Sequence, residues 1–83
     1  MEKVLIHLSV PAVQESFDLF IPQDIVIGQI ITSMTEGISE MTHHRYTVSG
    51  KEMLILEDSS VPLCPDNTLN QYGIQDGDHL III

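Results

Sequence analysis

The chain alternates at both ends and turns helical between them. In residues 3–10, KVLIHLSV, Val4, Ile6 and Leu8 fall on one side and Leu5, His7 and Ser9 on the other, the period of two that a half-buried strand requires. PAVQE separates this run from SFDLFIP, where Phe17, Leu19 and Ile21 again share a face. Two such runs joined by about five small or polar residues predict a hairpin. Pro22 ends the second strand, because proline has no N–H to give to a ladder.

Asp24 is placed to cap a helix by accepting the free N–H groups of the first turn. Behind it, Ile27, Ile30, Ile31, Met34 and Ile38 follow one helical face, with Gln29, Thr32, Ser33 and Glu36 opposite. Gly37 reads as the helix stop. So many β-branched residues make a poor isolated helix, so packing must hold it. From Arg45 the period returns to two: Tyr46–Ser49, a turn at Gly50 and Lys51, then EMLIL over 52–56 predict a second hairpin. EDSSVPLCPDN, with two prolines, reads as loop. TLNQY suits one helical turn, GIQDGD a tight turn, and HLIII a final strand whose Leu80 and Ile82 point inward. The order is strand, strand, helix, strand, strand, short turn, strand. A sheet wrapped on one helix buries every apolar face in that order.

Length and charge narrow the function. Residues 1–83 make a single domain with room for one modest core. Three basic residues, Lys3, Arg45 and Lys51, face twelve acidic ones, for a net charge of −9. Nucleic acid and anionic membrane surfaces are recognised through Lys and Arg, so both are poor partners. No apolar run reaches the roughly 18 residues of a bilayer span, so no direct membrane insertion is expected. A single cysteine, Cys64, and the lack of a signal-peptide pattern point to a reducing cytoplasm. A protein partner with a basic patch fits the charge.

The motifs then acquire a family. FDLFIP before a capped helix, YTVSGKEM and above all TLNQYGIQ resemble segments of the ubiquitin-like β-grasp fold, an α+β architecture with a mixed four- to five-stranded sheet packed on one helix. In that fold the tyrosine, here Tyr72, ties a loop down by hydrogen bonding to backbone, and Leu69 and Ile74 fill the core edge. The chain is similar over nearly its whole length to the small bacterial ubiquitin-like proteins typified by YukD and EsaB. The matching residues are Phe17-Asp18-Leu19, Pro22, Ile27, Ile30, Ile31, Gly73-Ile74, Gly77-Asp78, Leu80 and Ile82. That resemblance implies a non-catalytic, cytoplasmic accessory or adaptor of a type VII (WXG100) secretion system in Gram-positive bacteria, with a secretion component as partner. Ubiquitin-type modifiers and sulfur carriers need a flexible Gly-Gly tail, whereas this sequence ends within its last strand at Ile83, so conjugation is not expected. The alternatives are a modifier or sulfur carrier from a longer precursor, or the amino-terminal domain of a membrane transporter.

The candidate chemistry is thin. His7 and His79 fall on the outward side of strands that are neighbours in a β-grasp, but zinc wants three or four ligands. They read as solvated surface residues, and His43 and His44 as exposed loop. Cys64 has no adjacent base and reads as a loop thiol packed on the core. Asp76 and Asp78 read as turn residues. No catalytic set, metal site or cofactor is expected. The feature of interest is a surface. Ile81 and Ile83 face outward with Leu5 and His7, and Thr47 is expected at the centre, on the third strand, where the ubiquitin recognition patch has an isoleucine. Clustering of this kind marks an interface. Phe20 is a second exposed anchor, since aromatics are enriched among binding hot spots. The exposed strand or sheet face also offers a route to a homo-oligomer.

Overall fold

β1 (Lys3–Val10) places Val4, Ile6, Leu8 and Val10 in the core, each at most 1% exposed. The computed structural model describes residues 2–83. β1 pairs antiparallel with β2 (Glu15–Pro22) along its whole length, from Lys3 opposite Pro22 to Val10 opposite Glu15. The helix α1 (Ile27–Met41) crosses the inner face, burying Ile27, Ile30, Ile31, Met34, Thr35 and Ile38. β3 (Leu54–Leu56), β4 (Val61–Pro62) and β5 (Asp78–Ile82) complete a five-stranded sheet in the order β2-β1-β5-β3-β4. β1 and β5 run parallel at the centre and all other pairs are antiparallel. This is the α+β β-grasp that the sequence motifs imply. Among the described residues no helix is long and apolar enough to cross a membrane.

Three local expectations are corrected. Asp24 does not cap α1: the helix begins after Val26 without a side-chain cap. Its first free N–H groups instead meet backbone carbonyls of the loop before the 3₁₀ turn Leu69–Tyr72, Ile27 N to Asn67 O at 2.7 Å and Gly28 N to Pro65 O at 2.9 Å. A helix end needs partners, and packing against a loop supplies them as well as a carboxylate does. A side chain at Gly28 would bring its Cβ to 3.3 Å from Pro65, so glycine is what allows the loop this close. Gly37 does not stop the helix, which runs on to Met41. The stop comes from His43 and His44, both with positive φ, and His44 N closes on Ser39 O at 2.7 Å. Thr42 is buried and returns its hydroxyl to Ile38 O at 2.8 Å.

The hairpin over 46–56 does not form. Tyr46 is buried in the core, while Thr47, Val48 and Ser49 lie outside any strand. The Glu52 carboxylate accepts hydrogen bonds from Ser49 N at 2.6 Å, Ser49 Oγ at 3.1 Å and Gly50 N at 3.0 Å. Those N–H groups are therefore withdrawn from any ladder. The fourth strand comes instead from the expected loop, where Val61 pairs with Leu56 and Pro62 with Ile55. Pro62 is tolerable there because β4 is the sheet edge. The Tyr72 hydroxyl accepts from Cys64 N at 2.8 Å, tying down the loop as the motif implies, and Cys64 is exposed rather than packed on the core.

Candidate protein-binding face of the sheet

With α1 on one side, the other face of the sheet carries the odd residues of β1 and β5, and strand register arranges them in rows. Leu5 lies opposite Phe20, and the next row runs Asp18, His7, His79. Glu57 extends it, donating its N–H to His79 O at 3.0 Å. Below it lie Ser16, Ser9, Ile81, Ile55 and Pro62. Beyond β5, Ile83 and Met53 exchange both backbone hydrogen bonds, at 3.0 and 2.7 Å. Phe20, Met53 and Ile83 are 67%, 45% and 55% exposed, which marks unsatisfied apolar surface rather than core.

Of the expected residues, Leu5, His7, Ile81, Ile83 and Phe20 share this face. Thr47 does not join them, because the strand expected to carry it does not form. Its place is taken by Ile55, opposite Ile81. The alternation of Leu54, Ile55 and Leu56 held that signal, with Leu54 fully buried and Ile55 half-buried on the other side. Met53 was also missed.

The face is not a continuous apolar strip. The imidazoles of His7 and His79 stack with centroids 4.8 Å apart and planes 29° apart, dividing Leu5 and Phe20 from the isoleucines. The Asp18 carboxylate accepts a hydrogen bond from His7 Nδ1, and Glu57 Oε2 lies 3.6 Å from His79 Nδ1 on the far side. The rings thus turn their Nδ1 atoms apart, and among the described residues no three His, Cys, Asp or Glu side chains form a metal site. The DGD acids serve the backbone: Asp76 Oδ1 accepts from Leu5 N and Asp78 Oδ2 from Gln75 N, each at 2.8 Å. They lock the last turn onto β1.

Partial burial raises the Glu52 pKa, but the hydrogen bonds from Ser49 and Gly50 outweigh it and hold the group below the ordinary carboxylate range. Burial, the Glu52 charge and the hydrogen bond to Glu52 raise Tyr46 above the usual phenol value. Glu52 thereby fixes the turn at Ser49 and Gly50, and the Tyr46 hydroxyl donates to it at 3.3 Å.

Comparison with known proteins agrees with this geometry. The ubiquitin-like domain of the Mycobacterium tuberculosis type VII secretion system protein ECCD1 is 20% identical, with a TM-score of 0.79, covering 100% of this chain and 99% of that one. The EccD5 ubiquitin-like domain from Mycobacterium xenopi is 16% identical, TM-score 0.82, covering 100% and 94%. A chain of the ESX-5 inner membrane complex is 15% identical, TM-score 0.83, matched over 100% of this chain and 21% of its own length. A search of curated proteins finds no match. The family described as WXG100 protein secretion system (Wss), protein YukD, matches residues 5–82, and the chain belongs to that family, a ubiquitin-like component of type VII secretion.

Proposed function

We propose that this chain is a non-catalytic adaptor that binds another component of a type VII secretion system at the cytoplasmic side, through the outer face of its sheet. The observation that carries the reading is the set of apolar side chains on that face, Phe20, Met53 and Ile83 exposed and Leu5, Ile55 and Ile81 half-buried, around the His7–His79 pair. Exposed apolar groups gathered on one face lose unfavourable hydration when a partner covers them. Two further observations support it. A domain of the same fold forms part of a chain of the ESX-5 inner membrane complex. The net charge of −9 favours a partner presenting Lys and Arg around an apolar centre.

The test is recovery of the protein from its native host under mild detergent and again after boiling in denaturant, with both samples identified by mass spectrometry. Secretion components should accompany the wild type in the mild preparation only. Ile81→Asp and Ile55→Asp should lose them while melting as wild type does. Retention by both variants rules out this face, and heavier species that survive boiling through an isopeptide bond make the protein a modifier instead.

A further inference from the structure

A second surface lies around the edge of the sheet, and the adaptor reading shares only Phe20 with it. β2 is an outermost strand. Gln23 donates its N–H to Glu2 O at 3.1 Å. Backbone direction alternates along a strand, so Phe17, Leu19 and Ile21 turn their N–H and C=O groups to β1, and Ser16, Asp18 and Phe20 turn theirs to the open edge. Beside that edge runs a groove of about 360 Å³ between β2 and α1, floored by Leu19, Ile21, Ile30 and Met34 and ending at Phe20 and Met41. Phe20 and Met41 are 67% and 54% exposed. Unpaired strand backbone next to an apolar trough is the arrangement that accepts an added strand, with backbone giving affinity and alternate side chains entering the trough.

Gly37 lines the groove in the middle of α1. Among the described residues, no atom outside the neighbouring helix backbone lies within 4 Å of where its Cβ would be, so packing there does not require a glycine. Its absent side chain keeps the groove open. The charge around the groove is of one sign. No Lys or Arg lines it, and Glu36 and Glu40 sit one turn apart on the helix beside Ser33 and Gly37. Asp24 is exposed near the groove's end, beside the lining residue Ile25. Of the cations, Arg45 is held by Glu15, and Lys3, opposite Pro22, falls on the outer face of the sheet with Leu5 and His7.

We infer that the β2 edge and the β2–α1 groove bind an extended segment of a partner protein that carries apolar residues at alternate positions between Lys or Arg flanks. The segment adds as a sixth strand beside Ser16, Asp18 and Phe20. Its alternate side chains fill the groove, and its basic ends meet Glu36, Glu40 and Asp24. A second copy of this chain is a poor occupant, because each copy carries −9 and would bring acid to acid.

The probe is the blocked synthetic peptide Lys-Lys-Thr-Ile-Thr-Val-Thr-Ile-Lys-Lys, titrated into isotope-labelled full chain to about 1 mM, the range where weak strand addition registers. The amides of Ser16, Asp18, Phe20, Gly37 and Met41 should shift. A peptide N-methylated along its centre, or with Glu for every Lys, should not bind. Gly37→Arg, which fills the groove at a site with free space, and Met41→Ser should each weaken binding about tenfold. Ile81→Ser should leave it unchanged, so that failure here and failure of the sheet-face reading are told apart. No shift at that concentration overturns the inference, as does equal binding of the N-methylated peptide or a shift centred on Ile55 and Ile81. So does a wild-type dimer in sedimentation that Gly37→Arg converts to monomer, since the edge is then filled by a second copy.

Discussion

His7 and His79 stack across the parallel boundary of β1 and β5, each turned toward a carboxylate on its own outer side. The contact joins the two central strands on the face away from the helix, where no core packing does so. A cross-strand pair of this kind contributes about 0.5–1 kcal/mol. A double-mutant cycle with His7→Ala and His79→Ala, read by urea unfolding, should show a coupling of that size. A coupling of zero would mean that the rings lie together only because the strands do.

Tyr72→Phe should cost about 1–2 kcal/mol, because the Cys64 N–H then loses its acceptor while the ring still packs. The loss should be local as well as global. Hydrogen exchange at the Cys64 amide should quicken, and the loop carbonyls of Pro65 and Asn67 should leave the start of α1 more often. Slow exchange at Gly28 in the variant would show that the helix end does not depend on this tyrosine.

Much of this was legible in the residues. Val4, Ile6, Leu8 and the stripe Ile27, Ile30, Ile31, Met34, Ile38 have periods that only a core face explains, and all are buried. The outward set Leu5, His7, Ile81 and Ile83 follows from the same alternation. What failed was decided by contacts distant in sequence or by side chains acting on backbone. Asp24 has the residue type of a cap, but the carbonyls of Pro65 and Asn67 arrive first. Tyr46–Ser49 alternates like a strand, yet Glu52 captures the N–H groups of Ser49 and Gly50 at its end, and Thr42 that of Tyr46. Val61 and Pro62 look like loop until β3 is known to need a partner. Thr47 was lost and Ile55 gained through that one exchange.

The Glu52 capture has a pH signature. Its pKa is lowered in the folded chain, so the folded state binds fewer protons than the unfolded one as pH falls toward about 4, near the ordinary Glu value. The stabilisation is full above that value and is lost as pH drops through the lower folded pKa. Glu52→Gln should therefore destabilise the fold at neutral pH, by less than about 1 kcal/mol because the carboxylate is solvent-screened, and progressively less in acid. Urea midpoints of the two proteins measured from pH 7 down to about pH 3 should converge. Parallel curves would mean that the carboxylate charge is irrelevant and only the shape of the turn matters.

Gly37 offers the opposite sign. A glycine inside a helix is less stable than alanine by about 0.5–1 kcal/mol, because the unfolded chain has more freedom to lose. Among the described residues, a new methyl at this site meets no atom outside the neighbouring helix backbone within 4 Å, so no clash offsets the gain. Gly37→Ala should raise the denaturation midpoint with an unchanged denaturant slope. The same methyl stands at the wall of the β2–α1 groove and should trim strand binding there less than Gly37→Arg does. A stabilised variant with weaker peptide binding is thus the expected pair of results. A Gly37→Ala protein less stable than the wild type would mean that α1 needs the freedom of this residue, and the glycine would have a structural purpose unrelated to the groove.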